Sequence, residues 1–272
     1  MRNYLIQYTV IMALSISSVF GQAVSKTGTS AGQFLKIGVG SRAIGLGGAF
    51  TAIADDASSL YWNPSGIANN KTLSIFVDHY DWILDIEMDF IGFIIPLGSV
   101  GNLGISTNYL HMGEMEVTST KNPEGTGEKF SAASYLGQIS YARNLTERFS
   151  LGSSFKLIKE SIWNSTATGI AIDIGTLYKS TFPGLKLGMS ISNYGSKMKM
   201  DGRDLLIQTD LDPSLESDPE NLNSNLMTDE FDLPMIFRFG MSFSKKFKNG
   251  FGTILAIDAI HPSDNTESIN LG

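Results

Sequence analysis

The residues with chemical potential lie in two stretches. In GSRAIGLGGAFTAIADDASSLYWNPSGIA, Gly40 to Ala68, the adjacent Asp55 and Asp56 follow a run of glycines and precede an aromatic pair and Asn63-Pro64. Neighbouring carboxylates can ligate a metal or move a proton, but acid–base chemistry needs a positioned partner, and no His or Glu stands near them. Two aspartates in a row more often start or cap a short helix or turn. GVGSRA, Gly38 to Ala43, superficially matches a dinucleotide-binding loop, yet the strand–helix–strand frame around it is missing. The second stretch, Lys197 to Asp232, holds Asp201, Asp204, Asp210, Asp212, Glu216, Asp218, Glu220, Asp229, Glu230 and Asp232 against Lys197, Lys199 and Arg203. Such a stretch could bind Ca²⁺ or a basic partner. It lacks the regular ligand spacing with a turn glycine and terminal Glu, and so reads as a solvated, mobile outer loop. His111 and His261 lack the companions of a metal site and read as rim residues.

Composition narrows the remaining classes. Charged residues make up only 17% of the 272, below the roughly 25% of an ordinary soluble domain. The absence of cysteine removes a disulfide scaffold, a thiolate metal site and a cysteine nucleophile together. A net charge of −7 argues against nucleic acid, which is bound through clustered Lys and Arg. Neither a metal nor another cofactor is expected.

Three segments follow along the chain. Arg2, the apolar run Tyr4 to Phe20 and the small residues of GQA have the layout of a secretory signal peptide, 1–21. The run is too short and too often interrupted for a spanning helix. Residues 22–70 carry the glycine- and alanine-rich stretch, whose Gly45, Gly47 and Gly48 suit close backbone packing. From residue 71 onward the period becomes two. In FSLGSSFKL, Phe149, Leu151, Phe155 and Leu157 face one way and Ser150, Gly152, Ser154 and Lys156 the other. LKLGMSIS and FRFGMSFS repeat this pattern.

The alternation predicts strands over 72–80, 86–97, 102–112, 130–143, 148–160, 167–180, 184–194, 235–246 and 251–261, with a tenth starting near Ile269. Short connections alternate with mostly longer ones, and the polar faces are small and glycine-rich. That is the pattern of an all-β, transmembrane antiparallel barrel with short turns at one end and long loops at the other. Trp82 and Trp163 fall at strand ends, where such barrels carry aromatic girdles. A soluble secreted β-protein with a binding role is the alternative, because a sandwich also alternates.

The stretch from Gly40 to Ala68 closely resembles the N-terminal signature of the PorV/PorQ family of outer-membrane proteins of Bacteroidota and relatives. That family is itself similar to the FadL group of hydrophobic-compound transporters. A second family-like motif is DAIHPSDNTESINLG, Asp258 to Gly272, with Asp258, His261, Pro262, Asp264, Asn265 and Glu267. The resemblance implies a FadL-like barrel of fourteen strands in full, of which about ten are present, the chain ending early. It implies that Arg42, Gly45, Gly47, Gly48, Phe50, Asp55, Asp56, Trp62, Asn63 and Pro64 belong to an N-terminal plug over 22–70, ahead of a barrel over 71–272. It further implies residence in the outer membrane, in contact with its lipid, and no enzymatic activity. The implied role is a link to type IX secretion, with secreted cargo proteins or secretion-system subunits as partners. Uptake of a hydrophobic ligand, as in the FadL group, is the other role the resemblance allows.

Overall fold

The computed structural model describes residues 27–209, 222–247 and 250–272. The segment read as a signal peptide and the acids from Asp210 to Glu220 lie outside the described residues. One antiparallel sheet, to which the short Asp201–Gly202 adds by pairing with Ser165 and Thr166, is built on ten strands in sequence order. They are β1 (Ser74–Asp81), β2 (Ile86–Pro96), β3 (Asn102–Met112), β4 (Ala132–Asn144), β5 (Phe149–Ile162), β6 (Ser165–Lys179), β7 (Leu185–Gly195), β8 (Ile236–Lys246), β9 (Gly252–Pro262) and β10 (Ser268–Leu271). The expected all-β architecture is present. No ladder joins β1 to β10, so the described strands form a meander and not a closed barrel.

At one end every connection is short. At the other, β1–β2 and β5–β6 close in tight turns at Trp82 and Trp163, while 113–131 and 196–235 are long. Both exposed tryptophans therefore sit at the long-loop rim. The described parts of the 196–235 connection, 196–209 and 222–235, carry strand pairs that a reading by charge does not foresee. Met198–Lys199 pairs with Glu230–Phe231, and Leu206–Thr209 pairs with Leu222–Asn225. Met198 is buried in one cluster with Leu136, Ile158 and Phe34. The excess of acids hides these apolar residues from a reading by charge.

Burial on the sheet is the reverse of a soluble β-sheet. Along β5, Leu151, Phe155 and Leu157 are exposed while Ser150, Gly152, Ser154 and Lys156 are buried. Along β8, Phe237, Phe239 and Met241 are exposed over buried Arg238, Gly240 and Ser242. The exposed apolar band also runs obliquely to the hydrogen-bond register. One unbroken row joins Ile95, Leu103, Tyr141, Ser153, Ile174, Ile191, Phe237 and His261 across β2 to β9. On β2 this row passes through the short-turn end of the apolar run, and on β8 through its long-loop end. The band thus shifts by about five residues, roughly 17 Å, over six strand spacings of about 4.8 Å. Keeping the band level requires the strands to tilt by about 30°, near the ~35–45° of membrane barrels.

Candidate functional site

Residues 27–70 cover the small, polar face of the sheet from rim to rim. They begin at the long-loop end, where Ala31 donates to the Asp232 carbonyl at 3.0 Å. They leave at the short-turn end, where Asn102 donates to the Asn70 carbonyl at 2.7 Å and Lys179 to the Asn69 side chain at 2.8 Å. Between these points the wall supplies hydrogen-bonding groups to the segment's backbone. Gln138 donates to the Leu60 carbonyl at 2.7 Å, Ser190 to the Trp62 carbonyl at 3.2 Å, and Thr51 N–H to the Asp258 carboxylate at 2.9 Å. Buried backbone must be paired in this way, so polar wall residues are a condition of the contact.

Two short helices organise the segment: α1 (Ser41–Gly45) and α2 (Ser59–Trp62). Asp56 accepts from Ser58 N–H at 2.9 Å and so shapes the entry to α2. Arg42 pairs with Asp55 at 2.5 Å and Asp56 at 3.2 Å and lies over the Phe50 ring. The hydrogen bond to Asp55 raises the guanidinium pKa above its ordinary value. The buried Phe50 and Trp62 meet edge to face, and the Trp62 indole donates to the Val39 carbonyl at 2.8 Å. Asn63 is the most connected side chain of the motif. It donates to the carbonyls of Thr51 (2.9 Å) and Thr176 (3.1 Å) and accepts from the Ser65 hydroxyl (2.7 Å) and N–H (3.2 Å). Pro64 then opens the turn Pro64–Asn69, where a missing N–H is harmless.

Gly45, Gly47 and Gly48 differ from one another. Gly47 has φ 60, and a Cβ there would stand 2.6 Å from the Leu271 carbonyl oxygen; Gly48 has φ 77 and faces the Asn270 amide. At Gly45 φ is not positive and a Cβ would meet nothing within 4 Å, so close packing does not account for that glycine. The tighter approaches come from the wall. A Cβ on Gly152 would stand 2.5 Å from the Pro64 and Ser65 backbone, and those on Gly175 and Gly188 would overlap Asn63 and Thr51. Gly152 and Gly175 are register partners, as are Gly188 and Gly240. Alternation marks all four as facing inward, but nothing in the sequence says which backbone they meet.

The wall also holds charges that the sequence reading passed over. Lys156, on β5, meets Asp173 on β6 at 2.6 Å and donates to the Asn193 side chain on β7 at 2.8 Å. Asn193 N–H donates to Asp173 at 2.8 Å across a register shift, and Asn193 adopts φ 63 there. Its amide donates to the Pro234 carbonyl, which ties the long connection to the wall. The signal was available: Asp173 interrupts an otherwise apolar and small strand, which is costly unless the charge is paired.

The second motif splits. Asp258 is buried under Thr51. Asp264 accepts from Lys36 at 2.8 Å and Gln33 at 3.0 Å and from the Ser30 hydroxyl, fixing the start of the segment. Burial pushes the Asp264 carboxyl up, but these donors outweigh it and hold it at about 2. Pro262 and Asn265 line a cavity beside α1. His261 pairs with Glu267 at the exposed rim, at 3.1 Å. His111 is not isolated as expected: it lies 3.5 Å from Glu87 and 3.6 Å from Asp89, which also holds His79 at 2.7 Å. Its companions stand on neighbouring strands, beyond the reach of spacing arguments. Among the described residues no group of three or more such side chains is arranged to hold a metal ion.

Residues 20–214 match the family model described as type IX secretion system protein PorV. A UPF0164 protein of Treponema pallidum (strain Nichols) is 26% identical over 212 residues, covering 71% of this chain and 63% of that protein. The chain thus matches less than two thirds of that relative's length.

Proposed function

The chain belongs to the PorV family of type IX secretion system proteins, and from that premise we propose that it is a non-enzymatic outer-membrane barrel protein that receives or accompanies secreted proteins. In this reading a signal peptide exports it, residues 27–70 plug the lumen, and the exposed apolar band of β1–β10 meets the lipid. The observation that carries the reading is the reversed burial: large apolar side chains face outward on strand after strand, while Ser, Gly, Lys and Asp are covered. In water such a surface would be a severe aggregation hazard, whereas in a bilayer it is the stable arrangement. The oblique course of the band supports the same view, because a sandwich exposed to water has no reason to keep one.

The long-loop rim is where a secreted partner would be met. Met227 and Leu206 project from the 196–235 connection, largely exposed, among Asp201, Asp204, Asp229 and Glu230. A photo-crosslinking residue at Met227, in cells of a secreting strain, is expected to capture exported proteins, and one at Ile139 in the apolar band is not. Recovery of the mature protein in the soluble periplasm would overturn the membrane reading. Outer-membrane recovery with no rim-specific crosslinks would overturn the cargo reading alone.

A further inference from the structure

We infer that the short-turn edge of the apolar band binds net-anionic phospholipid headgroups in preference to zwitterionic ones, through Arg143 on β4 and Lys245 on β8. The inference rests on the membrane reading above and adds the chemistry of the lipid met at one end.

Both cations continue the outward series of their strands. On β4 the exposed side chains run Ile139, Tyr141, Arg143, and Ala142 between the last two is buried on the inner face. On β8 the outward series runs Phe239, Met241, Phe243, Lys245, opposite the buried Ser242. Each cation thus stands one step beyond the last aromatic ring and faces sideways from the wall. Phe182, 61% exposed in the turn 180–184, lies against Phe243 with ring centroids 6.1 Å apart. Rings that border an apolar band, with cations just past them, suit the level at which a bilayer passes into its headgroups. An acidic protein docking end-on against the turns would leave these sideways cations off its path.

The charge at this edge is lopsided. Arg148 in the turn 145–148 and Lys246 at the end of β8 add to the two cations, and Glu147 is the one acid in the described parts of the short turns. Among the described residues no carboxylate pairs with Arg143 or Lys245, and the Lys245 ammonium lies 5.4 Å over the Phe247 ring instead. At the opposite edge the outward series of β1 and β2 end in Asp81, Glu87 and Asp89, with Asp89 between His79 and His111. Lys159 on β5 runs against that trend. A phosphatidylcholine headgroup brings its own cation with its phosphate and offsets little of the short-turn charge. A headgroup with one net negative charge offsets one cation, and Arg143 and Lys245 each provide a place for it.

The test uses the full-length protein folded in phosphatidylcholine vesicles that carry an equal fraction of brominated phosphatidylglycerol or brominated phosphatidylcholine. Both leaflets have the same composition, so the direction of insertion does not matter. Phe182→Trp, combined with Trp82→Phe and Trp163→Phe, reports the short-turn edge; Trp82, with Trp163→Phe alone, reports the other, and the buried Trp62 is common to both. The Phe182→Trp reporter should be quenched with about fivefold higher apparent affinity by the anionic lipid, and Trp82 with no such preference. Arg143→Gln together with Lys245→Gln should remove the preference, as should about 0.5 M salt. Equal quenching by the two lipids at position 182, a preference unchanged in the double variant, or the same preference at Trp82 would each overturn the inference. Equal quenching is also what an acidic protein partner at this edge predicts. If the double variant does not insert, a preference that persists in about 0.5 M salt overturns the inference instead. A protein that inserts without lipid preference refutes this inference alone, and one whose reporters neither lipid quenches refutes the membrane reading as well.

Discussion

Gly152→Ala tests most directly how residues 27–70 meet the wall. The added methyl would stand 2.5 Å from the Pro64 carbonyl carbon and from the Ser65 nitrogen. Ordinary contact begins near 3.5 Å, so about 1 Å must be found. Neither atom can yield alone, because the Asn63 side chain holds Ser65 through both its N–H and its hydroxyl. Overpacking of this kind costs about 1–3 kcal/mol. The substitution acts the other way on the isolated strand, where Ala is better than Gly by roughly 0.5–1 kcal/mol. A loss therefore reports on the contact and not on β5. Gly45→Ala is the control: it lies in α1 with nothing within 4 Å and should be neutral or slightly stabilising. The assays are limited proteolysis within 27–70 and planar-bilayer conductance at matched insertion. Gly152→Ala should expose the segment and raise conductance while the strands stay folded, and Gly45→Ala should do neither. Unchanged protection and conductance in Gly152→Ala would refute both the close approach and the occlusion proposed from it.

Three further outcomes are expected. Phe239→Lys, mid-band on β8, should destabilise folding into vesicles by about 2–4 kcal/mol if it faces the bilayer midplane, and denaturant titration in vesicles reads this. Ser242 on the opposite face is no neutral comparison, since it is buried and its hydroxyl lies 3.4 Å from the Ala52 carbonyl. Asp264, held at about 2 against roughly 3.9 when free, stabilises the start of the segment above about pH 4. That contribution is lost as pH falls through about 2, so protease protection near Lys36 should fall in that window in the wild type and be absent throughout in Asp264→Asn. Asn63→Ala strips partners from two carbonyls and from Ser65 at once, and a loss of about 2–4 kcal/mol is expected in thermal or denaturant unfolding.

The strands were legible because an oily outside and a small, polar inside enforce alternation along most of their length. Each of the first nine lies within two residues of its expected bounds, from Ser74–Asp81 to Gly252–Pro262. The motif Gly40 to Ala68 was legible as a unit, but its partners were not. Asn63 meets Thr176 and Thr51 meets Asp258, and alternation says only that Thr176 and Asp258 face opposite sides, not what lies above either. Lys156, Asp173 and Asn193 combine across three strands through a bulge, which no spacing rule announces. The pairing in the described parts of the 196–235 connection was not legible, because its acids are numerous and the apolar residues packed there, such as Met198, are few and scattered.

The rim-to-rim course of residues 27–70 constrains how the chain can fold. This segment precedes every described strand, yet two of its anchors come far later in the chain: Asp258 is 207 positions from Thr51, and Asp264 is 234 from Ser30. Its helices are one turn long, far below the length at which a helix holds alone. Leu60 and Ile67 find cover on β2 to β4, but Thr51 and the start of the segment must wait for β9 and the turn after it. Closure over such sequence distances is slow. The residues that seal the inner face are thus the same ones that leave the unfinished chain sticky, and assembly has to shield them until the sheet has curled around them.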